Sequence, residues 1–94
     1  MTANWPTTYE EAVTRLLDEI PDEERYGLMT TPRSDLNKWH YILGMTIRER
    51  YGLWQGNIAL LRSCAAHGGG FGPDSTSMAI IKVAWARLRE GISG

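Results

Sequence analysis

Cysteine is nearly absent from the chain, which has Cys64 alone among its 94 residues. A single cysteine excludes an internal disulfide framework and fits a reducing compartment. No apolar run approaches the roughly 20 residues that are needed to cross a bilayer. The N-terminal segment also lacks the basic and apolar stretches of a secretory signal. We therefore predict a cytoplasmic protein that has no membrane partner.

An excess of charge of either sign is absent as well, because the net charge at pH 7 is −1. This balance disfavours nonspecific nucleic-acid binding as the main activity. The charges are unevenly placed, however: residues 1–30 hold seven acids and two bases, and residues 31–94 hold four acids and eight bases. The two halves either complement each other, within one chain or between copies, or the basic part faces an anionic ligand. A small aromatic-rich chain of this kind gains stability by self-association, so we also predict a homo-oligomer.

Strand signals are missing, since no segment alternates between apolar and polar residues with β-branched enrichment. Internal repeats and low-complexity tracts are missing too. What is present is apolar spacing typical of helices, together with four Trp and four Tyr and a hydrophobic fraction of 43%. These features predict an all-α fold, a compact bundle of four to five short helices in a single domain that covers residues 1–94.

Caps, prolines and glycines predict where these helices begin and end. The predicted segments run from about Tyr9 to Ile20 with Thr8 as cap, over a short turn from Pro21 to Tyr26, from a Ser34 cap to about Tyr51, from Ile58 to about Ala66, and from Asp74 or Ser75 to about Glu90. The predicted core spans about 8–90, with a flexible loop over about 67–73 and a loose tail over 91–94.

The chain resembles a family of small bacterial and phage domains of unknown function, over roughly Tyr9 to Leu88. The segments that carry the resemblance are His40-x-x-x-Gly44-x-x-Ile47-Arg48, Gly52-Leu53-Trp54 and Pro73-Asp74-x-x-Ser77-x-x-Ile80, with Glu11-Ala12-Val13 and Leu16-Leu17 near the N-terminus. Members of that family often carry a His before the Pro-Asp pair, where this chain has Gly72. The resemblance implies an α-helical domain and implies no activity.

The first candidate site consists of His40, Gly44 and Arg48, which are spaced by four and so share one helix face. His and Arg on either side of a glycine could grip an anion, and the glycine would let a ligand approach closely. Alternatively, Gly44 permits tight helix packing, His40 makes a buried hydrogen bond and Arg48 pairs with an acid such as Asp74.

Trp54 lies in a glycine-flanked turn and is the second candidate. An exposed Trp there could stack on a base or on a partner's side chain, whereas a buried one would close the end of a small core. The five arginines at 48, 50, 62, 87 and 89, taken with Trp39, Trp54 and Trp85, suit either a protein interface or a nucleotide site.

The glycine-rich segment 68–72 leads into the last helix and could cradle a phosphate. It matches no phosphate-binding motif, and a mobile loop followed by an Asp74 cap is the simpler interpretation. Cys64, His67 and His40 lack the spacing of a zinc site, and nothing orients His67 as a base for Cys64. We predict no metal, no cofactor and no catalytic residue.

These features predict a non-enzymatic binding protein that captures a small anionic ligand of nucleotide type, and the family resemblance implies an origin in a phage or mobile element. Arg48, His40, Gly44, Trp54 and Asp74 are the predicted site. The alternative is an inhibitor or adaptor that occludes a larger bacterial protein.

Overall fold

Within residues 5–68 and 70–93, which the computed structural model describes, every regular element is helical. The prediction of an all-α single domain is therefore confirmed. The elements in chain order are α1 (Tyr9–Glu19), α2 (Asp22–Thr30), a 3₁₀ turn (Arg33–Asp35), α3 (Lys38–Ile42), α4 (Gly44–Arg50), α5 (Ile58–Ala66) and α6 (Pro73–Ser93). The described residues form six α-helices, one more than the upper end of the predicted four to five, because one predicted helix is divided.

The start of α1 follows the predicted capping pattern. The Thr8 hydroxyl accepts a hydrogen bond from the Glu11 backbone N–H at 3.2 Å. The Glu11 carboxylate in turn accepts from the Thr7 backbone N–H at 3.0 Å, one residue earlier than in a standard capping box. Pro21 then separates α1 from α2, since a proline is well suited to the start of a new helix and poorly suited to the interior of one.

The helix predicted to run from Ser34 to Tyr51 is not continuous. Ser34 lies inside the 3₁₀ turn and caps nothing, and regular α-helix begins only at Lys38. A second break falls at Leu43, whose φ of −104° and ψ of −24° depart from ideal helix just before Gly44, a residue of low helix propensity. Leu43 keeps a right-handed helical conformation, and two hydrogen bonds span the break: Leu43 N–H donates to the Trp39 carbonyl at 2.7 Å and the Leu43 carbonyl accepts from Ile47 N–H at 2.9 Å. The helical twist therefore carries through from α3 to α4.

Helix α6 is the central element, and each of the other five α-helices packs against it. Its residues Ile80, Ile81 and Ala84 are fully buried in the core. The helix continues to Ser93, three residues past the predicted end at about Glu90. The looseness predicted for the tail over 91–94 stays a prediction. Gly91 lowers helix propensity by only about 1 kcal/mol, which is too little to end a long ladder. Gly94 lies outside the described residues.

Thr31 links α3 and α6 through hydrogen bonds with two tryptophans. Trp39 Nε1 donates to the Thr31 hydroxyl at 2.9 Å, and Trp85 Nε1 donates to the Thr31 carbonyl at 2.8 Å. The Thr31 hydroxyl itself donates to the Gly27 carbonyl at 2.7 Å. Trp39 lies in the core and Trp85 packs against it, so that Trp54 is the exposed ring among the three candidate tryptophans.

The connection from α5 to α6 contains two glycines with positive φ, Gly68 and Gly70. Residue 69 lies outside the described residues, and the flexibility predicted for 67–73 stays a prediction. None of the helices in the described part of the chain has the length and apolar character that spanning a membrane requires.

Candidate functional site

The Arg48 side chain is buried where α4 meets α6. Its Nη1 lies 3.4 Å from Oδ1 of Asp74 and donates to the Ser77 hydroxyl at 3.3 Å. Its Nε is buried and has no hydrogen-bond partner among the described residues. The ion pair with Asp74 confirms one of the two interpretations of Arg48, namely that it pairs with an acid from the last helix.

Gly44 and His40 lie directly beside this guanidinium, as the spacing of four predicts. A Cβ added at Gly44 would lie 2.9 Å from Arg48 Nη1 and 3.3 Å from His40 Nδ1. Side-chain carbon atoms almost never approach other atoms as closely as the first of these distances. The absence of a side chain at Gly44 therefore lets His40 and Arg48 converge over the helix backbone.

Trp54 covers the same guanidinium from the segment that follows α4. The Arg48 Cζ atom lies 5.2 Å from the Trp54 ring centroid, within cation–π range, while 56% of Trp54 remains exposed. Gly52 makes the turn with φ +69°, and Leu53 N–H donates to the Arg48 carbonyl at 3.0 Å. Trp54 is therefore a partly exposed ring held against a buried cation, and it does not close the core.

Asp74 and Ser77 come from the first turns of α6. The Ser77 hydroxyl is buried and donates to the Asp74 carbonyl at 3.0 Å while it accepts from Arg48. The Asp74 side chain is 79% exposed, in contrast to 10% for Arg48. The site thus has a buried cation and a solvent-facing anion, so its net charge is close to zero.

Two cavities lie on either side of Asp74 and Ser75. The first has a volume of about 370 Å³ and is lined by Asn37, His40, Tyr41, Asp74, Ser75 and Met78. The second, about 320 Å³, is lined by Trp54, Gly72, Pro73, Asp74 and Ser75. Three of the predicted site residues, His40, Trp54 and Asp74, line these cavities. The other two do not line them: Arg48 pairs with Asp74, and Gly44 lies beside the Arg48 guanidinium. We call the two cavities together the Asp74 groove.

Sequence reasoning did not assign two residues that shape this region. Ser77 appears in the family-like pattern three residues after Asp74, and this spacing was the available signal for a shared helix face. Asn57 is the cap of α5, and its side-chain oxygen accepts from Leu60 N–H at 3.3 Å. Its amide nitrogen also donates to the Pro6 carbonyl at 2.9 Å and the Tyr51 carbonyl at 2.7 Å, which fixes the segment that carries Trp54.

The remaining chemistry-bearing residues lie apart from the Asp74 groove. Cys64 is fully buried, and this burial raises the pKa of its thiol to about 11. The His67 ring stacks on Tyr9 with centroids 3.9 Å apart. Among residues 5–68 and 70–93, no three His, Cys, Asp or Glu side chains come close enough to hold a metal ion.

Comparison with known proteins identifies a family and goes no further. No curated protein and no solved structure matches the chain. A family model does match residues 5–88, which include α1 to α5, most of α6 and every residue of the Asp74 groove. The family is described as a domain of unknown function. The chain belongs to this family, DUF6794.

Proposed function

We propose that the chain is a non-catalytic binding protein that captures a small anionic ligand of nucleotide type in the Asp74 groove. The observation that supports this most directly is the half-exposed Trp54 ring, which rests on the Arg48 guanidinium at the edge of a cavity. A large ring held rigidly in water is a stacking surface, and stacking on an aromatic ring contributes about 1–3 kcal/mol per base.

The groove supplies different partners for the two ends of a nucleotide. A base stacked on Trp54 would have the exposed Asp74 carboxylate nearby as an acceptor for its amino or imino N–H groups. The first turn of α6, with the backbone N–H groups of Asp74 and Ser75 and the Ser75 hydroxyl, would face the phosphate. Arg48 would act indirectly, because its charge offsets that of Asp74 and its plane supports Trp54.

A non-catalytic role is consistent with the chemistry of the only cysteine. A thiol with a pKa near 11 is protonated at neutral pH and is therefore a poor nucleophile. We further propose that the protein acts in the cytoplasm. An origin in a phage or mobile element stays a prediction.

Titration calorimetry with mono-, di- and cyclic nucleotides tests the proposal. We expect heat from at least one class and, for Trp54→Ala, a loss of affinity of about tenfold or more. Tyr26→Ala is the matched control, since Tyr26 is a comparably exposed ring on α2. No heat from any nucleotide, or equal losses in both variants, would reject this ligand class.

Exposed rings near the groove favour a second candidate, an inhibitor or adaptor that covers a larger bacterial protein. Tyr41 is 84% exposed and Phe71 63%, and aromatic residues are enriched at protein interfaces. Affinity capture from a bacterial lysate tests this candidate with wild type and Tyr41→Ser in parallel. A partner that the wild type retains and the variant loses would favour it, and recovery of the protein alone would count against it.

A further inference from the structure

The outer face of α3 and α4 carries large apolar side chains that the described chain leaves at least half exposed. Tyr41 is 84% exposed, Met45 55% and Ile42 51%. Ile42 and Met45 belong to a stripe that also contains Lys38 and Glu49, because positions 38, 42, 45 and 49 follow the i, i+4, i+7, i+11 spacing of one helix face. We call these four residues, with Tyr41, the outer stripe.

The stripe is exposed along its length, and Ile42 at its centre also borders a small cavity against α1 and α2. Leu43 and Ile47, on the opposite face, are 3% and 0% exposed, whereas Lys38 and Glu49 are both exposed. Leu43 stays in the right-handed helical region between the two short helices, and it is hydrogen-bonded to Trp39 on one side and to Ile47 on the other. The outer stripe is therefore a single surface in spite of the break between α3 and α4.

The charged residues at the two ends of the stripe do not stabilise their own helices through the helix dipole. Lys38 is the first residue of α3 and Glu49 lies in the last turn of α4, and each has the sign that its helix end disfavours. Neither side chain forms an ion pair with another described residue. An apolar centre with an unpaired base at one end and an unpaired acid at the other is complementary to its own antiparallel copy.

We propose that the outer stripe is the interface of a twofold-symmetric dimer in which two copies of α3 and α4 pack antiparallel. The pair of positions 38 and 49 and the pair of positions 42 and 45 are both centred between residues 43 and 44. A twofold axis at that midpoint sets Lys38 against Glu49 of the second copy and Ile42 against Met45 of the second copy, each contact occurring twice. A parallel pairing would instead set Lys38 against Lys38 and Glu49 against Glu49.

This assignment does not depend on the ligand. The outer stripe contains none of Arg48, Trp54 and Asp74, so the protein could dimerise whether or not the Asp74 groove binds a nucleotide. The two features are neighbours through Tyr41, which lines the larger cavity of the groove and borders the stripe. A dimer would therefore bring the second copy to the rim of that cavity.

Sedimentation velocity over a wide range of concentrations, with exposed-residue variants, tests the proposal. We expect a monomer–dimer equilibrium in the wild type. Lys38→Glu and Glu49→Lys should each weaken it about tenfold, because two like-charged contacts replace two ion pairs. An equimolar mixture of the two variants should dimerise like the wild type, since one chain then carries only acids at the stripe ends and the other only bases. Ile42→Ser should also weaken the dimer, while Tyr26→Ser on α2 should not.

Three outcomes would overturn the proposal. The first is a wild type that stays monomeric at every concentration, which would mean that the stripe does not bind a second copy of this chain. The second is a dimer that responds to none of the stripe variants. The third is weakening by each single charge reversal without recovery in the mixture. Circular dichroism of each variant should match the wild type, because every substituted side chain is exposed.

Discussion

Arg48 and Asp74 form an ion pair with unequal partners: the Arg48 side chain is 10% exposed and that of Asp74 79%, with Nη1 and Oδ1 3.4 Å apart. A pair in which one partner is solvated contributes less than a fully buried pair, yet the buried cation depends on it. The contact joins α4 to the start of α6, which is also where both cavities of the Asp74 groove meet.

Asp74→Asn should therefore lower the free energy of unfolding by about 1 kcal/mol, since the side chain keeps its shape but no longer offsets the Arg48 charge. Urea denaturation at neutral pH measures the change. Asp18→Asn on α1 is the control, because Asp18 is exposed and should change stability by less than about 0.5 kcal/mol. Equal effects of the two substitutions would show that the Asp74 contact adds nothing to stability.

Gly44→Ala should destabilise the protein by about 1 kcal/mol, although alanine is the better helix former. The added Cβ would lie 2.9 Å from Arg48 Nη1, so the guanidinium must move away from Asp74 and Ser77. Gly91→Ala in α6 is the matched control, because a Cβ there meets nothing within 4 Å. That variant should gain a few tenths of a kcal/mol. Thermal denaturation of both proteins should show shifts of opposite sign, and a gain in both would contradict the crowding at Gly44.

Gly52→Ala should be more harmful, at about 3 kcal/mol, because two effects combine. Gly52 has φ +69°, where a Cβ is strained, and that Cβ would lie 2.5 Å from the Trp5 ring. Gly56→Ala isolates the first effect, since Gly56 has φ +92° but no atom within 4 Å of an added Cβ. The control should cost about 1 kcal/mol. Similar unfolding midpoints for the two variants in urea would remove the case for packing between Trp5 and Gly52.

Stability should fall in alkali because two buried acids have raised pKa values. Burial raises the pKa of the Cys64 thiol from 9.0 to about 11. Burial, and then the charge and hydrogen bond of Glu19, raise the pKa of the Tyr51 phenol above its ordinary 10.0. The unfolded chain releases each of these protons at a lower pH than the folded chain does. The stabilisation from Cys64 is therefore complete below pH 9 and is lost as the pH rises toward 11, and the stabilisation from Tyr51 is lost above pH 10, by at most about 1.4 kcal/mol per pH unit for each group.

Cys64→Ala separates the two groups in this pH experiment. The variant should be less stable at neutral pH, because a buried side chain is shortened, but its stability should stay level until about pH 10, where Tyr51 begins to contribute. Urea midpoints from pH 7 to alkaline pH measure both curves. If the wild type and the variant decline in parallel from pH 9, the Cys64 thiol does not carry the first part of the change.

Much of the helical architecture could be predicted from local signals. Thr8, Pro21 and Gly52 act through their own backbone or through a residue three positions away, and the structure places each of them at the predicted boundary. The break at Leu43 could not be predicted, because the apolar spacing of the long predicted helix continues through it. The 3₁₀ turn at Ser34 was missed for a different reason: serine is a favourable capping residue, but a favourable residue type does not ensure that a helix begins there.

The candidate site was predictable in the part that lies on a single helix. His40, Gly44 and Arg48 follow from spacing, and the proximity of Asp74 was named as one alternative. The position of Trp54 against the guanidinium depends on how Asn57 holds the turn through the carbonyls of Pro6 and Tyr51. Contacts of this kind join distant segments, and a single sequence carries no local signal for them.

The central place of α6 has a consequence for synthesis. The other five α-helices all pack on it, so none of them can complete its burial until residues 73–93 have left the ribosome. The earlier segments must wait in a loosely ordered, water-exposed form, since helices as short as α3 and α4 are unstable alone. The last stretch of this fold to be translated is therefore the one on which the others assemble.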